Sequence, residues 1–354
     1  LRAHFLNIEN MKYMHIQAND IIQHLRIREG GDVRILFIHG NGSDGGFWES
    51  LIQALPENIT AAAPDLRGYG DTQAKPARAS ESFGDYVSDL TELINALGWS
   101  KYHVVGHSLG GGICWELMLK DAPRIQSVTL VNPASPFGFG GTSTPDGKLT
   151  FPDGAGSGGG IVNPDFVRLL QEGDRSTDNP TSPLNVINTF YWAPPFVPER
   201  VGRLLDGLLK MKIGDHFYPG DSVPSAHFPF AAPGAFGQLN AAAPLTKQGI
   251  SDGLAALSPK PTVLWVRGAK DQIVSDQSLF DTAVHGAAGL IPGYPGVEIC
   301  PPQPMVAQTR SVLEKYAAAG GVYEEQVMEH CAHSPYIEDP EGFLSIFKPF
   351  IASR

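Results

Sequence analysis

The sequence predicts an α/β fold: a mostly parallel sheet with helices on both faces, broken by one long insertion. Three observations predict it. Short apolar strands alternate with helical patterns through the first third of the chain, the alternation stops at about Asn132, and it resumes at Thr262. Strands joined by crossover helices pair in parallel and are covered on both faces, so they read as continuous apolar runs.

Taken in order, residues 13–17 and 21–28 read as a hairpin around Asn19-Asp20. Residues 33–38 and 59–63 are apolar runs closed by His39-Gly40 and Pro64-Asp65. Between them, residues 47–55 place Phe47, Leu51, Ile52 and Leu55 on one side of a helix. Residues 83–97 repeat Tyr86, Val87, Leu90, Leu93, Ile94 and Leu97 at three- and four-residue steps, and Gly98 ends that helix. A strand at 102–105, a helix at 111–120 and a strand at 127–131 follow. This order implies right-handed crossovers.

From Asn132 to about Leu257 no strong strand is legible, and Gly and Pro are dense. Short helices are expected at 164–171 and 198–211. A disordered linker would lack aromatics, whereas this stretch carries Phe190, Tyr191, Trp192, Phe196, Phe228 and Phe236 among others. It is therefore expected to be a folded insertion packed on the sheet. Beyond it come a strand at 262–266, a helix at 275–284, a Gly/Pro-rich excursion at 286–304, a helix at 306–319, a strand at 322–328 and a last helix at 340–351.

Composition narrows the function classes. The 354 residues are enough for one large α/β domain, or for a core plus a smaller unit. Lys+Arg 26 against Asp+Glu 37 gives a formal charge of -11, which argues against nucleic acid or an anionic membrane as the main partner. No run approaches the ~18 apolar residues of a membrane span. Cys114, Cys300 and Cys331 are too few for a disulfide framework, a single bridge is left open, and Cys331 is expected to be a small buried filler. The first residues show no charged stretch leading into an apolar one. The default location is cytoplasmic, with secretion after removal of a signal left open.

The chemistry centres on Gly106-His107-Ser108-Leu109-Gly110, set between a predicted strand and a predicted helix. A sharp turn there holds Ser108 in a strained conformation with its hydroxyl projecting, while the helix aims its first amides at any charge that forms nearby. The spacing is neither G-x-G-x-x-G nor G-x-x-x-x-G-K, so a nucleotide phosphate is not expected. A serine hydroxyl needs a base. His333 follows the last predicted strand, where that base belongs if the chain order is Ser, acid, His. His330 is its rival, read as a loop residue, and His330, Cys331 and His333 on one short turn make a poor metal site. Asp271 sits at the carboxyl end of the 262–266 strand and is the candidate to orient His333. Asp276 is a substitute that more naturally caps a helix. The turn His39-Gly40-Asn41-Gly42 offers a backbone N–H, from Asn41 or Gly42, to pair with that of Leu109 as an oxyanion hole. His39 and His107 are read as structural.

Together these residues resemble the α/β-hydrolase superfamily, in particular its esterases, lactonases and cofactor-free haloperoxidase-like enzymes. The matching pieces are His39-Gly40, Pro64-Asp65-Leu66-Arg67-Gly68-Tyr69-Gly70, Gly106-His107-Ser108-Leu109-Gly110-Gly111, Arg267-Gly268-Ala269-Lys270-Asp271, and His333-Ser334-Pro335 with Glu338-Asp339-Pro340. They appear in the family's order across about residues 13–134 and 260–352. The resemblance implies an eight-stranded core formed by residues 1–134 and 258–354, with a cap at 135–257 inserted after the sixth strand. Branches that attack with a carboxylate are disfavoured, because serine occupies that place. Asn132, after the sixth strand, removes the commonest alternative seat for the acid. The 62 residues between Asp271 and His333 exceed the family's usual spacing, and the 286–304 excursion is expected near the pocket or at a subunit contact.

The function expected is hydrolysis of a carboxylic ester or lactone through an acyl-enzyme on Ser108, with no metal or organic cofactor. The partner is a small, mainly apolar substrate met by Gly42, Tyr191, Trp192 and Phe196, and a homo-oligomer is compatible with the sequence. The alternatives are the same three residues acting on an amide or C–C bond, or a ligand receptor on this fold.

Overall fold

The computed structural model describes residues 11–354, so the reading of the first ten lies outside the described residues. Eight strands carry the sheet. β1 (Met11–Ala18) and β2 (Ile21–Arg28) form the expected hairpin, followed by β3 (Val33–Ile38), β4 (Ile59–Pro64), β5 (Tyr102–His107) and β6 (Ile125–Val131). Four short strands belong to the insertion: β7 (Ile213–Gly214), β8 (Tyr218–Pro219), β9 (Ser222–Pro224) and β10 (Ala231–Pro233). β11 (Thr262–Gly268) and β12 (Tyr323–Met328) complete the main sheet, whose order is β1-β2-β4-β3-β5-β6-β11-β12. Within that sheet only the β1–β2 and β2–β4 pairs are antiparallel; the rest run parallel, as expected.

Alternation along the strands divides the core in two. Leu36, Ile38, Val104, Val128, Leu130, Val263 and Trp265 face one cluster, with α2 (Gly84–Ala96), α3 (Leu109–Asp121) and α10 (Met305–Ala318). Their neighbours Ile35, Phe37, Val105, Val131, Leu264 and Val266 face the other, with α1 (Glu49–Gln53) and α12 (Pro340–Ala352). Successive strand residues point to opposite faces, so one buried strand feeds two helical layers. The sheet is covered on both sides.

Several boundaries differ from expectation. The helix expected at 47–55 begins as a 3-10 turn, Gly45–Trp48, because the Asp44 side chain accepts from Gly46 N–H, and only Glu49–Gln53 is α-helical. The helix expected at 275–284 is largely absent. Asp271 Oδ1 takes the amides of Ile273 and Val274, and Asp276 Oδ1 takes those of Val306 and Ala307. Asp276 therefore caps α10 rather than joining a site. The local helix is α9 (Thr282–Ala287), started by Asp281 accepting from Ala283 N–H.

In the insertion, α4 (Pro164–Glu172) and α6 (Val201–Leu209) match two expectations. α5 (Pro183–Phe190), α7 (Gln238–Ala241) and α8 (Ile250–Ala256) were not legible. Ser182-Pro183, an N-cap with proline at the first helical position, was the signal that could have found α5. The 286–304 excursion packs through Tyr294 and Cys300 against Phe228 of the insertion, leaving Leu290 and Ile299 exposed.

Candidate active site

β5 ends and α3 begins with one residue between them, Ser108, at φ 55° and ψ -117°. A residue with a Cβ pays to hold a positive φ, so the surrounding contacts must impose it. They do: Ser108 N–H donates to Val131 C=O at 3.0 Å, and its own carbonyl accepts from Gly112 and Ala134 N–H at 3.0 and 2.8 Å. The flanking glycines are steric requirements. A Cβ on Gly106 would lie 2.4 Å from Gly110 O, and one on Gly110 2.4 Å from Ile38 O.

His333 and Asp271, separated by 62 residues, meet here. His333 Nδ1 donates to Asp271 Oδ2 at 2.8 Å, and both side chains are buried. Asp271 Oδ1 is occupied by the Ile273 and Val274 amides, so its carboxylate cannot rotate freely. A proton on Nδ1 leaves Nε2 as the basic nitrogen. Among the described residues the His333 ring hydrogen-bonds to Asp271 alone. In enzymes without substrate the contact between base and nucleophile is often long and closes on binding.

The loop carrying His333 is held from beneath. His107 Nε2 donates to His333 C=O at 2.8 Å, and the two rings lie 4.6 Å apart. Burial keeps the His107 pKa well below the usual histidine range, so it acts as a neutral donor. Asn132 Nδ2 donates to Ala332 and His333 C=O at 2.9 and 2.8 Å, while its Oδ1 accepts from Gly268 N–H at 3.1 Å. Asn132 thus ties the end of the strand before Asp271 to the loop that carries His333. Sequence reasoning noticed only that it was not an acid.

Leu109 follows the serine in the chain, and Asn41 follows Gly40, whose added Cβ would lie 2.9 Å from Ser108 Cβ. Leu109 opens α3, so its N–H is one of the helix's unpaired first donors. Neither backbone N–H donates to a backbone carbonyl among the described residues. The Asn41 side chain is fixed by Tyr69 Oη, which donates to Oδ1 at 2.8 Å, and its carbonyl accepts from Tyr191 Oη at 3.0 Å. His39 serves the same turn: Nε2 accepts from Leu66 N–H at 3.0 Å and Nδ1 donates to Gly40 C=O at 2.8 Å. Burial lowers its pKa, consistent with a neutral ring.

The four candidate pocket residues separate. Gly42, at φ 61°, backs directly onto the Tyr191 hydroxyl. Tyr191 faces His333 edge-on with ring centroids 6.0 Å apart, and Phe196 is half-buried at the edge of the core. Trp192 is fully buried, its ring part of the main apolar cluster that the insertion shares with the sheet, and it presents no face to a substrate. His330 is exposed and pairs with Asp339, as a loop residue would. All three cysteines are free and buried, and burial pushes the Cys331 thiol up to about 12.

A second set of polar groups lies outside this site. Arg26, almost wholly buried, pairs with Asp44, Glu49 and Asp65, and Arg200, just before α6, and Arg203, within it, add contacts to Glu49 and Asp44. The adjoining cavity of about 340 Å³ holds charged side chains that already pair with one another. His24, Asp65 and Asp71 bring ligand-type atoms within 4.8 Å, but Asp65 already accepts from Arg26, Gly45 and Asp71. This is the chemistry of an ion-pair network that docks α6 on the core.

Comparison with known proteins agrees with this architecture. Residues 33–156 match the family described as alpha/beta hydrolase fold. The dihydrolipoyllysine-residue acetyltransferase component of an acetoin cleaving system from Cupriavidus necator is 37% identical over 31% of this chain and 28% of its own length. Lipase LipV of Mycobacterium tuberculosis is 36% identical over 31% of this chain and 40% of its own. The match thus spans less than half of either relative. A thermophilic esterase from Thermogutta terrifontis superposes with a TM-score of 0.57 at 18% identity, covering 97% of this chain and 98% of that one. The epoxide hydrolase CorEH does so with a TM-score of 0.59 at 17% identity, covering 97% and 99%.

Proposed function

We infer, for a chain that belongs to the α/β-hydrolase superfamily and carries serine at its strand-to-helix turn, that it hydrolyses a carboxylic ester or lactone. The observation that carries the reading is the strained Ser108 turn, whose neighbour His107 holds the loop of the buried His333–Asp271 pair. Ser108 Oγ attacks the carbonyl carbon while His333 Nε2 takes its proton. Asp271 steadies the imidazolium, and the Asn41 and Leu109 amides hold the oxyanion. The tetrahedral centre collapses as the alcohol leaves with the proton from His333. Water then adds through the same base, releasing the acid and restoring the serine. These steps use side chains and backbone amides alone.

Residues 135–257 act as the cap over this centre, with Tyr191 and Phe196 as its substrate-facing aromatics. Apolar rings at that position favour an apolar acyl or alcohol group. The likeness to the epoxide hydrolase CorEH is one of fold. In that branch a carboxylate attacks, and serine in its place supports acyl chemistry instead.

A fluorophosphonate probe tests the reading. Stoichiometric labelling at Ser108 that Ser108→Ala abolishes is the expected result, and an unlabelled wild-type chain overturns it in favour of a ligand receptor. A panel of p-nitrophenyl esters, lactones, anilides and a vinylogous diketone then fixes the bond class. Turnover confined to the anilides or the diketone would replace the ester assignment.

A further inference from the structure

Five residues beyond the base, the chain folds back on it. The single turn α11 (Pro335–Glu338) returns the Glu338 carboxylate to the loop it has just left. Ala332 N–H, immediately before His333, donates to Glu338 Oε1 at 2.8 Å and to Oε2 at 3.0 Å. Oε2 also accepts from Ala193 N–H at 2.7 Å. Ala193 belongs to the insertion and lies two residues after Tyr191, whose ring meets His333 and whose hydroxyl holds Asn41. Burial raises the pKa of Glu338, while the amides of Ala193, Ala332 and Ser334 favour its anion. Half-buried carboxylates are costly unless their hydrogen bonds are met, and here backbone N–H groups meet them.

The main chain around His333 is therefore gripped from two sides. Asn132 and His107 hold its carbonyl, and those grips come from the core. Glu338 holds the preceding amide, and it alone of the three reaches the insertion. We propose that Glu338 is a positioning residue for His333, a carboxylate that locks the base-bearing loop to the segment around Ala193 so that seating that segment and aligning the imidazole are one event. This rests on the reading of Ser108 as nucleophile and His333 as its base.

Glu338→Gln keeps the shape but turns a donor toward one of the two amides. The expected result is a fall in kcat on a p-nitrophenyl ester of about tenfold or more, with KM within about twofold, because alignment rather than binding is lost. The fluorophosphonate labelling rate at Ser108 falls by the same factor. Asp339→Asn is the comparator: it removes the carboxylate that accepts from Gly342 N–H at 2.9 Å and faces the exposed His330. It lowers the melting temperature and leaves kcat unchanged.

A folded Glu338→Gln with wild-type kcat and labelling rate overturns the proposal. So does a loss of kcat that Asp339→Asn reproduces at equal loss of stability. If Glu338→Gln does not fold, Glu338→Asp, which keeps the charge but not the reach, is held to the same criteria. A wild-type chain that takes no label sinks the serine-hydrolase reading and this proposal together. A labelled wild type with an indifferent Glu338→Gln sinks this proposal alone.

Discussion

The main sheet and the insertion that crosses its rim are held together by different physics. In the sheet, alternate side chains enter two separate apolar clusters, and strand register does the positioning. The insertion has five α-helices of four to nine residues and ladders of two or three; it lends Trp192, Leu204 and Leu208 among others to the first of those clusters and adds individual polar ties. Arg200 and Arg203 pair with Glu49 and Asp44, Lys247 pairs with Glu116, Tyr191 Oη donates to Asn41, and Ala193 N–H donates to Glu338. Periodic burial gives a rigid frame on which three distant loops converge. Discrete ties give a segment whose seating depends on a few named groups. Ser108, Asp271 and His333 all belong to the frame, and what the insertion brings to them is contacts.

The sharpest way to break this contrast is to compare a frame residue with an insertion residue in turnover. Asp271→Asn is expected to lower kcat by about 10⁴-fold, through loss of the imidazole's correct tautomer. Tyr191→Phe removes one hydroxyl that holds Asn41 and costs less than about tenfold, since a single neutral hydrogen bond is worth roughly 1 kcal/mol. Steady-state kinetics on one ester checks both, and equal losses would erase the distinction.

In stability the two regions should separate again. Trp265→Ala, wholly within the frame, is expected to cost about 3–5 kcal/mol in denaturant unfolding, whereas the half-buried Phe196→Ala in the insertion should cost less than about 2 kcal/mol.

A further expected effect concerns one tie and depends on pH. Burial pulls the Lys247 ammonium down from the ordinary 10.5 to about 8, against the pull of Glu116. Between those two values the unfolded chain keeps a proton that the folded chain has released, so raising the pH through the window favours the folded chain. Wild type should therefore gain on Lys247→Met as pH rises from about 8 to 10.5, by up to about 3 kcal/mol. A flat difference across that range would show the charge to be fully solvated.

How much was legible in the sequence follows the same division. Strands such as Ile35 to Ile38 announce themselves because burial on both faces demands unbroken apolar runs. The serine turn was legible because steric crowding permits only glycine at Gly106 and Gly110. Asp271 was legible from its place at a strand end. The expected helix at 275–284 failed because Asp271 and Asp276 spend their carboxylates on amides at 273–274 and 306–307, a tertiary choice with no local trace. Asn132, Tyr69 and Glu338 were visible as letters in motifs, but their tasks were not, since each acts through a partner more than 25 residues or a whole turn away. Trp192 was misjudged because an aromatic facing a pocket and one filling a core are the same letter.

β11 and β12 are direct neighbours in the sheet, and Gly268 stands opposite Met328 in their register. Asp271 and His333 are therefore brought level by two adjacent strands, and the length of chain looping out between them does not enter their geometry. Val297, Glu298 and Ile299 lie exposed in that loop. That makes the excursion a graft point: a reporter peptide or an affinity handle spliced there is expected to ride on the protein without disturbing the distance between Asp271 and His333.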